Sequence, residues 1–206
     1  MGITGGIACG KSVVLAELSR LGAVTWSADE VAREVMGPGG KAYAAVVTAF
    51  GLEIALPTGR IDRAALGDRI FSDERDRRRL EAIVHPIVLQ RLSMWIEDFR
   101  WHPPNNPPVA AAEVPLLFEV GVEKLFDLTV AVVAEPQLQI SRLKQRTSWP
   151  DSRIRGVIAA QMSLTEKAAR AERVIRTNGA ITETLAQTQT LWMDVTRSIE
   201  EESPCP

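Results

Sequence analysis

Gly5-Gly6-Ile7-Ala8-Cys9-Gly10-Lys11-Ser12 decides how the rest of this chain is read. The stretch fits G-x-x-x-x-G-K-[ST], and each fixed residue type has a physical reason. Glycines let the backbone turn tightly, so that successive N–H groups converge on one point and surround phosphate oxygens. The helix expected to follow adds the positive end of its dipole. Lys11 is placed to reach the outer phosphates of ATP as a point charge, and the Ser12 hydroxyl to ligate Mg2+. Thr4, Gly6, Ile7, Ala8, Cys9, Gly10 and Val13 complete the expected nucleotide cradle. The alternative is a chance glycine-rich turn. Context argues against it, because a short apolar run (1–4) precedes the stretch and the helical pattern Val14, Leu18, Leu21 follows it.

Working outward, four further apolar runs have the length of buried strands: 23–26, 109–114, 128–134 and 173–176. Helical patterns lie between them, such as Val88, Leu92, Trp95 and Phe99. The last helix carries Ile181, Leu185, Thr188, Trp192, Val195 and Ile199 on a 3–4 spacing. Strand and helix in alternation predict an α/β fold, a five-stranded parallel sheet covered on both faces. Only four residues precede Gly5, whereas a strand usually runs about five or six, so the first strand is expected to be short. Pro86 and Pro136 fit first turns of helices. Ser163-Leu164-Thr165-Glu166 has the form of a capping box. Pro103-Pro104-Asn105-Asn106-Pro107-Pro108 reads as loop, and the tail 200–206 as frayed. The long helical stretch between the second and third strands exceeds a simple crossover and predicts a separate lobe. The expected division is a core of 1–36, 108–138 and 170–200, a helical lobe of 37–107, a lid of 139–169 and a tail of 201–206.

The 206 residues suit one such domain, 46% of them are apolar, and the formal net charge is −2. A chain devoted to a nucleic-acid backbone usually carries excess Lys and Arg, so no nucleic-acid partner is expected. Cys9 and Cys205 lie at opposite ends, which argues against a disulfide scaffold or a zinc site. No apolar run approaches the ~18 residues of a membrane span. The expectation is a soluble, cytoplasmic monomer with a small-molecule substrate.

Beyond the loop, an ordered set of segments resembles the dephospho-CoA kinase family. Gly2-Ile3-Thr4-Gly5-Gly6-Ile7-Ala8-Cys9-Gly10-Lys11-Ser12 is similar to that family's G-L-T-G-G-I-G-S-G-K-S opening. Ala28-Asp29-Glu30-Val31-Ala32-Arg33 resembles its D-A-D-x-x-A-R segment. Gly59-Arg60-Ile61-Asp62-Arg63, Leu66-Gly67-Asp68-Arg69-Ile70-Phe71 and Leu80-Glu81-Ala82-Ile83-Val84-His85-Pro86 resemble later blocks. Val114-Pro115-Leu116-Leu117-Phe118-Glu119 looks like the P-L-L-F-E strand end, 142–161 like the lid, and Asn178-Gly179 like the late N-x-G. The resemblance implies a three-layer P-loop NTPase fold with a helical CoA-binding lobe and a lid. It also implies transfer of the ATP γ-phosphate to the ribose 3′-hydroxyl of dephospho-CoA, the final step of coenzyme A biosynthesis. Departures are Ser27, where the family usually has Asp, Arg176, where it usually has Asp, and the short first strand. The rival readings are another P-loop metabolite kinase and a nucleotide-binding module without transfer.

Phosphoryl transfer asks for positioning and charge neutralisation. Asp29 is the candidate base for the acceptor hydroxyl, or else a helix N-cap. Glu113 is a candidate for organising magnesium water. Glu119 is either a second such group or structural. Arg142 and Arg146 lie one helical turn apart, and Arg146 is the expected lid arginine, with Lys11 and Asp29 in the catalytic set. Asn178, Gly179 and Ala180 are expected to frame the adenine. His85 is read as packing or as lining of the lobe. Cys9, at a helix start where a thiol can become acidic, is either a small loop residue or a redox-sensitive group.

Overall fold

The computed structural model describes residues 1–103 and 109–202. Part of the expected 103–108 loop, the end of the expected tail and Cys205 lie outside the described residues. Five strands, β1 (Gly2–Gly5), β2 (Val24–Ser27), β3 (Ala110–Glu113), β4 (Thr129–Val133) and β5 (Arg173–Arg176), form one sheet in the order β2-β3-β1-β4-β5. Every pairing is parallel. The first strand has four residues, as expected, and lies at the centre of the sheet. The chain leaves β1 for β2 on one side and later returns to β4 on the other. The loop after β1 thus opens at a switch in strand order, where such sheets collect ligands.

Strand alternation sets the two faces. Ile3 joins the core cluster of Val14, Leu18, Val130, Val132 and Leu191, beneath α1 (Lys11–Leu21) and α9 (Ile181–Glu202), which pack together. Thr4, one residue on, turns the other way, towards Lys167 of α8 (Leu164–Arg170), which packs against β1 and β4. Of the expected α9 stripe, Ile181, the first residue of the helix, is 61% exposed. Gln187 of α9 accepts from the N–H of Arg176 and donates to its carbonyl, covering the free edge of β5.

The chain divides into two compact units, 1–27 with 98–206, and 28–97. The division falls after Ser27 and Glu97, whereas the sequence reading placed it after 36 and 107. The second unit is helical: α2 (Ala28–Val35), α3 (Tyr43–Phe50), α4 (Arg63–Ser72) and most of α5 (Glu74–Trp101). Asp62 caps α4 by accepting from the N–H groups of Ala64 and Ala65. Pro86 corrects an expectation: it lies inside α5, not in a first turn. The buried positions Val84, Val88, Leu92 and Ile96 recur every four residues across it. This continuous apolar stripe outweighs the hydrogen bond that proline removes. His85 is accordingly a half-buried mid-helix residue.

In the first unit the segment expected to form the lid, 139–169, falls on α6 (Pro136–Arg146), α7 (Asp151–Ala159) and α8. Pro136 opens α6 as expected. Ser163 caps α8 through its hydroxyl, which accepts from the N–H of Glu166, while the Glu166 carboxylate pairs with Arg170. Among the described residues no helix is long and apolar enough to cross a membrane.

Candidate active site

Two glycines make the turn from β1 into α1 possible. Gly5 has φ 149, and a side chain there would collide with the Val132 carbonyl of the neighbouring strand. Gly10 has φ 85 and forms the left-handed entry to α1. Between them Ala8, which is not glycine, is held at φ 58, a conformation that costs about 1–2 kcal/mol for an L-residue.

The result is a cluster of free donors. Among the described residues, no acceptor pairs with the main-chain N–H of Ala8, Gly10, Lys11 or Ser12. The N–H of Val13 is already bonded to the Gly10 carbonyl, and that of Cys9 to Gly6. Four unmet donors beside a helix N-terminus form a concave anion site. Lys11 is 7% exposed and reaches back across the loop, its Nζ 3.0 Å from the Gly6 carbonyl and 3.8 Å from Glu113 Oε1. Its ammonium thus lies between the loop and a carboxylate at the end of β3. The Ser12 side chain is exposed, and among the described residues its hydroxyl has no partner. In the sheet register Ser27 stands directly beside Glu113, so the end of β2 and β3 carries one carboxylate there rather than two.

Other expected residues have structural neighbours. The Thr4 hydroxyl is buried and donates to the Pro115 carbonyl. Arg142 donates to the Ala8 carbonyl (3.1 Å), the Thr177 hydroxyl (3.0 Å) and the Thr177 carbonyl (2.6 Å), fastening the loop to the end of β5. Arg146, the last residue of α6, is exposed. Asn178 accepts from the Glu135 N–H and donates to the Glu135 carboxylate, so it joins the end of β5 to the start of α6. Gly179 and Ala180 follow it on the surface. Glu119 is tied to the lid segment, accepting from the N–H of Met162 and pairing with Lys167 at 2.8 Å. Asp29 is an exposed residue of the first turn of α2, in the second unit.

The thiol of Cys9 fits the reading of a small loop residue rather than that of an acidic group. Its side chain is fully buried, and burial pushes its pKa up, against the opposing pull of Lys11. The helix terminus does not compensate for removal from water.

Sequence reasoning missed Lys167, Gln139, Gln161 and Thr177. Lys167 is completely buried, donates to the Pro115 carbonyl at 2.5 Å and contacts Glu119. Burial lowers its pKa, partly offset by Glu119. Gln139 and Gln161 both bond to Ile7, and Thr177 to the Cys9 carbonyl. The signal was faint, since a polar residue on a helix face (Gln139, Lys167) or in a connection (Gln161, Thr177) ordinarily reads as solvated. A cleft of about 610 Å³ opens beside the loop, bordered by Gly6, Pro136, Gln139, Gln161, Leu164 and Asn178.

A parallel sheet of this strand order, with such a loop between its central strand and a helix, defines an α/β fold of the P-loop NTPase class. The family model of dephospho-CoA kinase matches residues 1–183. A dephospho-CoA kinase of Geobacter sulfurreducens is 41% identical over 192 residues, covering 93% of this chain and 96% of that relative. A solved structure from Thermus thermophilus is 29% identical with TM-score 0.73, covering 94% of this chain and 95% of its own. The solved dephospho-CoA kinase from Campylobacter jejuni, at 20% identity and TM-score 0.69, covers 96% of each chain and shares the fold. The chain belongs to the dephospho-CoA kinase family, and with it to the ATP-dependent phosphotransferases.

Proposed function

We propose that this chain transfers the γ-phosphate of ATP to the ribose 3′-hydroxyl of dephospho-CoA, giving CoA and ADP. The observation that carries the donor half is the set of four unpartnered N–H groups at Ala8, Gly10, Lys11 and Ser12, with the Lys11 ammonium beside them. The acceptor half follows from family membership.

Each residue has a role in this scheme. The free N–H groups hold the phosphate chain, and Lys11 leaves the Gly6 carbonyl to neutralise charge that develops on the transferring group. Arg146, exposed at the end of α6, is free to add a guanidinium to the same oxygens. Arg142 is the second proposed lid arginine, and Asn178, Gly179 and Ala180 are the proposed surroundings of the adenine. Asp29 is the proposed base that accepts the proton of the 3′-hydroxyl.

The family implies a magnesium ion, and the donors present suit one. Magnesium keeps several waters and takes one or two protein oxygens beside phosphate. The unpartnered Ser12 hydroxyl and the Glu113 carboxylate, near Lys11, are oxygen donors of that kind. Bound there, the ion would neutralise phosphate charge, with Ser12 as its direct ligand and Glu113 orienting its water. The near-balanced charge of the chain suits a small-molecule acceptor rather than nucleic acid, and a cytoplasmic monomer is the state in which we expect it to work.

The test is ADP release from magnesium-ATP across a panel of acceptors: dephospho-CoA, adenosine, nucleoside monophosphates and shikimate. Release that depends on dephospho-CoA alone is expected. Release driven by a nucleoside or nucleotide instead would overturn the assignment of the acceptor.

A further inference from the structure

Four carbonyl groups of the loop are engaged, alongside the four N–H groups that are free. The Gly6 carbonyl accepts from Lys11 Nζ, Ile7 from Gln139 Nε2 (2.8 Å), Ala8 from Arg142 Nη1 (3.1 Å) and Cys9 from the Thr177 hydroxyl (2.9 Å). In a trans peptide the carbonyl of one residue and the N–H of the next point in opposite directions. Tying down the oxygens of Ile7 and Cys9 therefore aims the N–H groups of Ala8 and Gly10 the other way. Those are two of the four free donors.

Ile7 is the residue held from both ends. Its N–H donates to Gln161 Oε1 at 2.8 Å, and its carbonyl accepts from Gln139 Nε2 at the same distance. Both peptide planes that flank Ile7 are thereby fixed, immediately before Ala8 at φ 58. A backbone in that region persists only where its surroundings over-determine it. Gln139 is 2% exposed, on α6, and Gln161 lies between α7 and α8. A buried carboxamide of this kind is costly unless its groups are bonded, and here its N–H bond goes to the loop.

We propose that Gln139 and Gln161 are positioning residues for nucleotide binding, a pair of carboxamides that clamp Ile7 and so set the shape of the phosphate-binding loop. The proposal rests on the assignment of that loop to ATP. Gln161 lies in the lid segment, so the clamp also links the position of the lid to the geometry of the loop. The two side chains act with opposite polarity: Gln139 must donate and Gln161 must accept.

That polarity supplies a test that a purely space-filling role would not pass. Glutamate is nearly isosteric with glutamine but, when ionised, only accepts. Affinity of the full chain for magnesium-ATP would be measured by calorimetry, with KM and kcat for both substrates. Gln139→Glu sets a carboxylate against the Ile7 carbonyl and is expected to weaken ATP binding at least ~10-fold, the scale of loss for a small misplacement in a preorganised site. Its KM for dephospho-CoA should move far less. Gln161→Glu keeps an acceptor, so it should bind ATP at least ~10-fold more tightly than Gln161→Leu, which has none. Equal losses in the two Glu variants would reduce the effect to charge repulsion and overturn the proposal. If Gln139→Glu fails to fold, the contrast at Gln161 decides alone, and equal affinity of Gln161→Glu and Gln161→Leu overturns the proposal. ATP affinity is measured without the acceptor, so a wild-type chain inactive on dephospho-CoA would refute the acceptor and leave the clamp testable.

Discussion

Lys11 spans the loop it serves, with its ammonium on the Gly6 carbonyl and near Glu113. Replacing it by alanine removes the point charge aimed at the transferring phosphate and the strut across the loop together. Lys11→Ala is expected to show no ADP release above background in a coupled assay. Asp29→Asn separates binding from chemistry, because it keeps shape and loses basicity. It is expected to bind magnesium-ATP with unchanged affinity and to slow transfer by about 10²–10⁴-fold, the usual worth of a general base. Near-normal turnover would remove Asp29 from that role. At this scale the sequence was most informative where backbone conformation dictates residue type. Gly5 and Gly10 were legible because glycine suits their positive φ values and, at Gly5, the close approach of the Val132 carbonyl. Cys9 left two readings open, because proximity to a helix terminus is visible in sequence and burial is not. The glutamines that hold Ile7 were invisible, since their partners are 132 and 154 residues away.

Between elements, α1 and α9 meet through a polar contact as well as an apolar one. Glu17 accepts two bonds from Arg20 and one from Gln189 of α9, each at 2.7 Å. These donors hold its carboxyl well below the usual 4.5, at about 2. The folded form therefore binds the proton less readily than the unfolded one. The contribution of Glu17 to stability is complete above the unfolded pKa and is lost as the pH falls from about 4.5 to about 2. In denaturant titrations Glu17→Gln is expected to be less stable than wild type at neutral pH, with the gap closing through that window. A gap that stays constant with pH would show that the carboxylate charge contributes nothing. Element existence was well marked by apolar runs, and all five expected strands form. Ends were less legible: β2 is shifted one residue along the chain from 23–26, and β4 is shorter at both ends. Pro86 shows why, since its local preference for a first turn was overridden by an apolar stripe that becomes evident only along the full helix.

On the scale of the whole molecule, the sheet unit holds the proposed nucleotide machinery, and the helical unit holds Asp29, two residues beyond the end of β2. The α/β class followed from alternating strand and helix patterns. The unit boundary after Ser27 differs from the one read after 36, since α2 groups with the second unit through contacts that the sequence does not display. The claim on which everything else depends is transfer of phosphate from ATP to the 3′-hydroxyl. It is tested most directly by following isotope from γ-labelled ATP in the presence of dephospho-CoA. The expected result is label in the 3′-phosphomonoester of CoA, mole for mole with ADP. Label appearing instead as inorganic phosphate, or bound ATP with no ADP formed, would contradict it.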